Sequence, residues 1–290
     1  TYTGRTTLLQ GTLTLGTANA LALGTEVLIN GGTLAIGTTA QSVAAVTLRS
    51  GWISGTTGAL TATGFTVESG DISAVLAGNG INLTKNLGGE VVLRGMNTYT
   101  GATTVNAGTL TLGVDHALAL GTDVVVNAGA LALGTTVQQV SSLTLTGGMI
   151  SGGTLQGTVY NLMSGSVSSV LAGAGIALNK TTAGEVLLTG VNTYTGLTTV
   201  GGGILALGVN NALASGTPVL VNGGTLAIGT TMQSVAALTL ADGMISGTGG
   251  ALVATGFTVE SGSVSAILAG TAALTKQSTG TVVLTGLNTY

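Results

Sequence analysis

Residues 97–113 read NTYTGATTVNAGTLTLG, and residues 192–208 read NTYTGLTTVGGGILALG. The chain opens on TYTGRTTLLQGTLTLG, and its last three residues are NTY. Alignment on the tyrosine of this motif, which is Tyr2, Tyr99, Tyr194 and Tyr290, divides the chain into blocks 1–97, 98–192 and 193–288. Repetition on this scale indicates an array of similar structural units rather than an ordinary globular domain.

The composition is that of a glycine-rich chain with very few charges. Only 5% of the 290 residues are charged, against about 25% in a typical soluble domain, and 51 residues are glycine. The net charge of −3 provides no basic surface, so we expect no nucleic-acid partner. No run of about 18 apolar residues occurs, which predicts no membrane insertion by this segment. The absence of cysteine excludes disulfides and thiolate chemistry.

A shorter period runs inside each block and is marked by a glycine before an apolar segment. These marker glycines are mostly 19 residues apart, and the residue two positions after each of them is aliphatic. The marker glycines are Gly11, Gly32, Gly51, Gly70, Gly89, Gly108, Gly129, Gly148, Gly165, Gly184, Gly203, Gly224, Gly243, Gly262 and Gly280. The aliphatic residues, called the core series below, are Leu13, Leu34, Ile53, Ile72, Val91, Leu110, Leu131, Ile150, Val167, Val186, Leu205, Leu226, Ile245, Val264 and Val282.

This shorter period predicts one coil of a β-solenoid. Alternation along a strand turns every second side chain inward, and stacked coils bury a continuous core that no single coil has. Val, Thr and Ile favour strands, while glycine supplies positive φ at the corners. We therefore predict an all-β parallel β-helix, or β-solenoid, of about fifteen coils of roughly 19 residues, continuous over 1–290 with five coils in each block. The core series should stack in one inward column.

The segments 93–113 and 188–208 resemble the autotransporter-associated β-strand repeat, also called the passenger-associated transport repeat. The residues that carry the resemblance are Gly95, Asn97, Tyr99, Gly101, Thr104, Gly108 and Gly113, with Gly190, Asn192, Tyr194, Gly196, Thr199, Gly203 and Gly208 in the next copy. The resemblance implies a secreted passenger of a Gram-negative bacterium, folded as a right-handed β-helix outside the cell, as in large adhesins. Copies of the motif, five coils apart, are expected to form a rib along one side.

Few residues could carry catalysis or hold a metal. Glu68 and Asp71 are close in sequence, but the equivalent positions of the other blocks are not both acidic, which favours a solvated turn. Asp115 and His116 are the only acid–imidazole neighbours, and a single histidine offers no metal-ligand set. Polar residues of this kind suit turns. We therefore predict no catalytic residue, no cofactor and no metal.

The residue directly after each marker glycine should point outward. In the third coil of each block this residue is large and apolar, namely Trp52, Met149 and Met244. Apolar residues that recur on an exterior are either covered by a neighbouring loop or available for docking. The second alternative makes these three residues a possible lateral interface for another copy or another protein.

These observations favour a structural role. The preferred interpretation is the repetitive shaft of a secreted extracellular or cell-surface fibre, whose partners are other copies of the same chain and which self-associates into filaments. The alternatives are an adhesin passenger that binds surfaces or glycans directly and, third, a polysaccharide-active β-helix enzyme. Because both ends of the chain fall at the motif, we expect the chain to be one part of a longer array of repeats, which continues covalently or by head-to-tail stacking.

Overall fold

A computed structural model describes Tyr2 and residues 4–290 and confirms the predicted all-β fold. The fold is a β-solenoid of about 15 turns with a spacing of about 19 residues. The chain divides into two compact units, one formed by Thr1–Ser142 and Ser151–Gly153, the other by Leu143–Ile150 and Thr154–Tyr290. The described residues form no helix, so none of them belongs to a helix that could span a membrane. Right-handedness and continuity over 1–290 stay predictions.

The first unit contains sixteen short strands. They are β1 (Thr6–Leu8), β2 (Thr12–Thr14), β3 (Val27–Gly37), β4 (Gln41–Ser42), β5 (Ala45–Gly55), β6 (Ala59–Thr61), β7 (Gly64–Val67), β8 (Gly70–Ile72), β9 (Val75–Gly78), β10 (Leu83–Lys85), β11 (Glu90–Leu93), β12 (Thr98–Tyr99), β13 (Thr103–Val105), β14 (Thr109–Leu112), β15 (Val124–Val126) and β16 (Ala130–Gln139).

The remaining strands begin with two that include residues of both units, β17 (Ser142–Leu145) and β18 (Met149–Gln156). The second unit continues with β19 (Val159–Leu162), β20 (Gly165–Val167), β21 (Val170–Ala172), β22 (Ala177–Lys180), β23 (Glu185–Leu188), β24 (Thr198–Val200), β25 (Ile204–Leu207), β26 (Val219–Gly229), β27 (Met232–Ser234), β28 (Ala237–Gly247), β29 (Ala251–Val253), β30 (Gly256–Val259), β31 (Gly262–Val264), β32 (Ile267–Ala269), β33 (Leu274–Lys276) and β34 (Val282–Leu284).

Strands of successive turns pair in parallel and form three ladders. In the first unit, ladder one is β1–β3–β5–β7–β10–β13–β15, ladder two is β2–β3–β5–β8–β11–β14–β16, and ladder three is β4–β6–β9–β12. The long strands β3 and β5 bend through register shifts and serve the first two ladders together. The second unit repeats this arrangement, with β26 and β28 as its long strands.

The core series is buried as predicted, but it does not stack in one column. Thirteen of its fifteen members are at most 1% exposed, and only Leu13 and Val282 are partly exposed. The predicted single column is wrong once in each block, because Ile72 pairs with Leu93 instead of Val91, and Val167 and Val264 make the same two-residue step. A two-residue shift keeps every side chain on its own face, so the core remains apolar.

The cause of this shift is a longer turn in the fifth coil of the block. Lys85 pairs with Val67 of the preceding coil in ladder one, and Leu93 pairs with Ile72 of the preceding coil in ladder two. The two later residues are eight positions apart in the chain, whereas the two earlier ones are only five apart. The fifth coil therefore has extra residues between ladder one and ladder two, and its strand in ladder two is shifted along its own length by two residues.

The marker glycines are required at the corners, although in two different ways. Positive φ occurs at nine of the fifteen, namely Gly11, Gly51, Gly70, Gly108, Gly148, Gly165, Gly203, Gly243 and Gly262. At Gly51 the φ angle is +101°, and a Cβ atom would lie 2.2 Å from the carbonyl oxygen of Gly32 in the preceding coil. The prediction of positive φ is wrong for the second and fifth markers of each block, where close backbone approach is the constraint instead.

Candidate functional site

The asparagine of the repeat motif lies inside the solenoid. Asn97 is 4% exposed and Asn192 is 2% exposed. The Oδ1 atom of Asn97 accepts a hydrogen bond of 2.8 Å from the amide of Leu76, and its Nδ2 atom donates one of 2.7 Å to the carbonyl of Ala117. Asn192 makes the equivalent bonds at 2.8 and 2.7 Å. Each asparagine therefore joins its own coil to the coil before it and to the coil after it.

The motif tyrosine is also internal, so the motif side chains lie in the core, and their recurrence along one side stays a prediction. Tyr99 and Tyr194 are fully buried. The hydroxyl of Tyr99 is 2.6 Å from Oγ1 of Thr103, and its ring lies 6.4 Å, centroid to centroid, from the ring of Phe65. Tyr194 is packed edge-on against Tyr160, at 5.9 Å. Burial raises the pKa of both motif tyrosines above the usual value, because an apolar interior disfavours the phenolate.

The motif glycine allows close contact between coils. A Cβ atom on Gly101 would lie 2.4 Å from the carbonyl carbon of Ile81 in the preceding coil, and one on Gly196 would lie 2.3 Å from that of Ile176. These distances are far below van der Waals contact, so any larger residue would push the two coils apart.

A buried lysine belongs to the same site, and the sequence interpretation missed it. Lys85 and Lys180 are fully buried. Lys85 occupies a core position of ladder one, where it stands between Val67 and Val105. A signal for it was present, because all three lysines of the chain, the third being Lys276, stand at the same position of their blocks.

The ammonium group of this lysine is held by backbone carbonyls. Nζ of Lys85 donates to the carbonyls of Asn86, Leu87 and Ala107 at 3.0, 2.8 and 3.0 Å. Leu87 has a positive φ of 61°, which is unusual for a residue with a side chain. Burial lowers the pKa of Lys85, while the nearby carboxylate of Glu68 opposes the shift. The lysine thus fastens the long turn of the fifth coil.

The two candidate acids are each paired with a different arginine. Asp71 Oδ2 is 2.7 Å from Nε of Arg94, whereas Glu68 lies 3.9 Å from Nε of Arg49. Each acid therefore faces its own arginine. Within Tyr2 and residues 4–290, no group of three or more His, Cys, Asp or Glu side chains could hold a metal ion.

Asp115 and His116 form a turn, as the sequence indicated. Oδ1 of Asp115 accepts a hydrogen bond of 2.8 Å from the amide of Val137. His116 has a positive φ of 52°, the same value as Asn211 at the equivalent position of the third block. The carboxylate of Asp115 is hydrogen-bonded to an adjacent coil. The imidazole of His116 occupies a turn position that asparagine occupies in the third block.

The predicted outward residues are exposed, so the alternative in which a loop covers them is wrong. Trp52 is 61% exposed, Met149 45% and Met244 42%. Within the second unit the two methionines stand in neighbouring columns of ladder two. Met149 pairs with Ser166, and the successive strand pairings from Ser166 lead to Ser246. Ser246 is two residues beyond Met244 in the chain. Their role as a lateral interface stays a prediction.

The coils that contain these buried polar residues are also the ones that match a known family. The model of the passenger-associated-transport-repeat family matches residues 83–112, 178–207 and 274–290. A relative, the adhesin BmaC autotransporter of Brucella suis biovar 1 (strain 1330), is 31% identical to this chain. The alignment covers 84% of this chain but only 8% of that protein, and no solved structure matches. The buried lysine, asparagine and tyrosine stand inside the matched segments, and the chain is therefore a β-solenoid that carries passenger-associated transport repeats.

Proposed function

We propose that this chain is part of the shaft of an adhesin-like passenger, secreted to the surface of a Gram-negative bacterium, and that its role is structural. One observation carries the proposal. The defining residues of the repeat motif hold the stacked coils together, because Asn97 and Tyr99 are buried and hydrogen-bonded inside the stack. The adhesin autotransporter relative supports the surface location, and the chain spans only 8% of its length.

A non-enzymatic role is supported by the arrangement of the acids. Most glycoside hydrolases use two carboxyl groups that flank the bond to be cleaved. Asp71 and Glu68 are instead turned towards separate arginines, Arg94 and Arg49. Turnover of a polysaccharide by the purified chain would contradict this part of the proposal.

The shaft proposal is tested by removing one complete block. In-frame deletion of residues 98–192 from the natural gene removes five coils and rejoins equivalent positions of the repeat. We expect normal surface display with a reach shorter by roughly 24 Å, because each coil advances about 4.8 Å. Atomic force microscopy of the displayed protein measures the reach.

The matched control deletes residues 98–145, which ends inside a coil and breaks the period. We expect this variant to be exposed to proteases and poorly displayed, because its coils no longer meet in register. If both deletions behave alike, the protein does not act as a periodic shaft.

We further propose that copies of the chain associate with one another. The parallel pairing that joins successive coils would join coils of two copies head to tail, a contact that does not close and so forms filaments. The exposed side chains of Met149 and Met244 support lateral contact between such filaments.

Association is measured by sedimentation velocity over a range of concentrations, together with negative-stain electron microscopy. We expect thin filaments from the purified chain and less lateral bundling in a double variant, Met149→Ser with Met244→Ser. Sedimentation as a single monomer at every concentration would exclude self-association.

A further inference from the structure

A small groove on the outer face of ladder two in the first unit surrounds the only tryptophan of the chain. The groove has a volume of about 380 Å³ and is lined by Trp52, Ile53, Ser54, Asp71, Ser73 and Arg94. Register places Trp52 directly beside Asp71 on the next coil. The carboxylate of Asp71 is in turn 2.7 Å from Nε of Arg94. An aromatic ring and a charged pair thus stand together on this face of the first unit.

We propose that Trp52, Asp71 and Arg94 form a binding site for a neutral pyranose sugar. The indole of Trp52 is 61% exposed and offers a flat apolar face. The negative face of an aromatic ring attracts the weakly positive C–H groups that cover one side of a pyranose. A sugar that stacks on Trp52 therefore places the hydroxyl groups at its edge towards the next two coils, where Asp71 and Arg94 lie.

The charged pair matches the hydroxyl groups of a sugar. A hydroxyl both donates and accepts, and the carboxylate of Asp71 accepts hydrogen bonds while the guanidinium of Arg94 carries five N–H donors. Hydrogen bonds to charged groups are roughly twice as strong as those between neutral groups. The two charges compensate each other, so the site favours a neutral ligand over an ion. Its volume lies at the small end of ligand sites, which suits one or two sugar rings.

The three residues depart from the repeat together. The second and third blocks carry methionine, serine and threonine at the equivalent positions, namely Met149, Ser166 and Thr189, then Met244, Ser263 and Thr285. The fold consequently does not need tryptophan, aspartate or arginine there. Their joint occurrence in one block points to a shared ligand, and the site adds direct glycan contact to the structural role without depending on it.

Binding is measured by fluorescence, because the single tryptophan makes the emission a reporter of this site alone. The probes are methyl α-D-glucopyranoside, methyl α-D-mannopyranoside and methyl β-D-galactopyranoside, with saturation-transfer NMR as the second readout. We expect at least one probe to shift the emission with a dissociation constant on the order of 1 mM. If no probe alters the emission and none shows saturation transfer, the proposal is wrong.

The repeat supplies variants that keep the fold. Trp52→Met, Asp71→Ser and Arg94→Thr each install the residue that the other blocks carry. We expect Trp52→Met to abolish saturation transfer, and each of the other two to weaken binding about tenfold or more. Saturation transfer that persists in Trp52→Met would place the sugar elsewhere and overturn the assignment.

A matched control separates a specific site from simple stacking on an exposed ring. The double variant Trp52→Met with Met149→Trp moves the tryptophan to the second block, where no aspartate–arginine pair adjoins it. We expect no binding, and binding equal to that of the natural protein would refute the role of the pair. Emission that changes with protein concentration and not with sugar would assign Trp52 to an interface between copies instead. Deletion of residues 98–192 should leave sugar binding intact, so this proposal and the shaft proposal can fail separately.

Discussion

Replacement of Asn97 by alanine should destabilise the first unit by about 2–4 kcal/mol. The side chain satisfies the amide of Leu76 in the coil before it and contacts the carbonyl of Ala117 in the coil after it. Leu76 is fully buried, so its amide would be left without a partner, at a cost of about 1–3 kcal/mol. The carbonyl of Ala117 still accepts the backbone amide of Asn97 at 3.4 Å, so its loss adds only about 1 kcal/mol.

The effect is measured by urea unfolding followed by circular dichroism, with the shift in midpoint compared at an unchanged slope. The matched control is Asn79→Ala, because Asn79 is exposed and only accepts a surface hydrogen bond from Thr100. This control should cost less than about 0.5 kcal/mol. Asn192→Ala repeats the experiment in the second unit and should match Asn97→Ala.

Asn97→Asp provides an independent check on the same reasoning. An ionised aspartate accepts from the Leu76 amide but cannot donate to Ala117, and it buries a charge. We expect it to destabilise the protein at neutral pH and to recover partly in acid, where the protonated carboxyl can donate again. The reasoning is refuted if Asn97→Ala costs no more than Asn79→Ala.

Three other substitutions or titrations test the core. Ile150→Asp should cost more than about 4 kcal/mol by urea unfolding, because it buries an unpaired charge, whereas Ile150→Val should cost only about 1 kcal/mol. Lys85→Met should cost about 1–3 kcal/mol more than Lys276→Met, since only the first lysine is buried, and equal costs would contradict its fastening role. Burial raises the pKa of Tyr99 and Tyr194, so both should stay protonated in the folded chain beyond pH 10 or so, and the free energy of unfolding should fall as pH rises further. Tyrosinate absorbance of all tyrosines in a chain that is still folded by circular dichroism would disprove this.

Much of the fold was predictable because its strongest signal is local. An aliphatic residue two positions after a glycine places one side chain in the core, and thirteen of the fifteen positions are indeed buried. The shift between Ile72 and Leu93 was not predictable from this signal, because a two-residue step leaves the alternation of inward and outward residues unchanged. Register depends on the length of the preceding turn, and periodicity does not report that length.

The site was harder to predict because its residues are polar and buried. Asn97 and Tyr99 were recognised as a motif, but the sequence did not indicate that both side chains are buried. Lys85 was missed for the same reason, since lysine is almost never fully buried without partners. Its partners are backbone carbonyls, which a sequence does not display.

The buried asparagine has a consequence for how such a chain avoids assembly errors. Coils that look alike can be stacked one step out of place without exposing any apolar side chain, and every later coil would inherit the mistake. A displaced coil would, however, present Asn97 to the wrong backbone groups and leave the amide of Leu76 without an acceptor. The buried asparagine therefore fixes the alignment of its coil with the coils beside it, much as the single buried asparagine fixes the alignment of a coiled coil. The aliphatic core packs equally well when a coil is stacked one step out of place, whereas the asparagine makes that arrangement less stable once in each block.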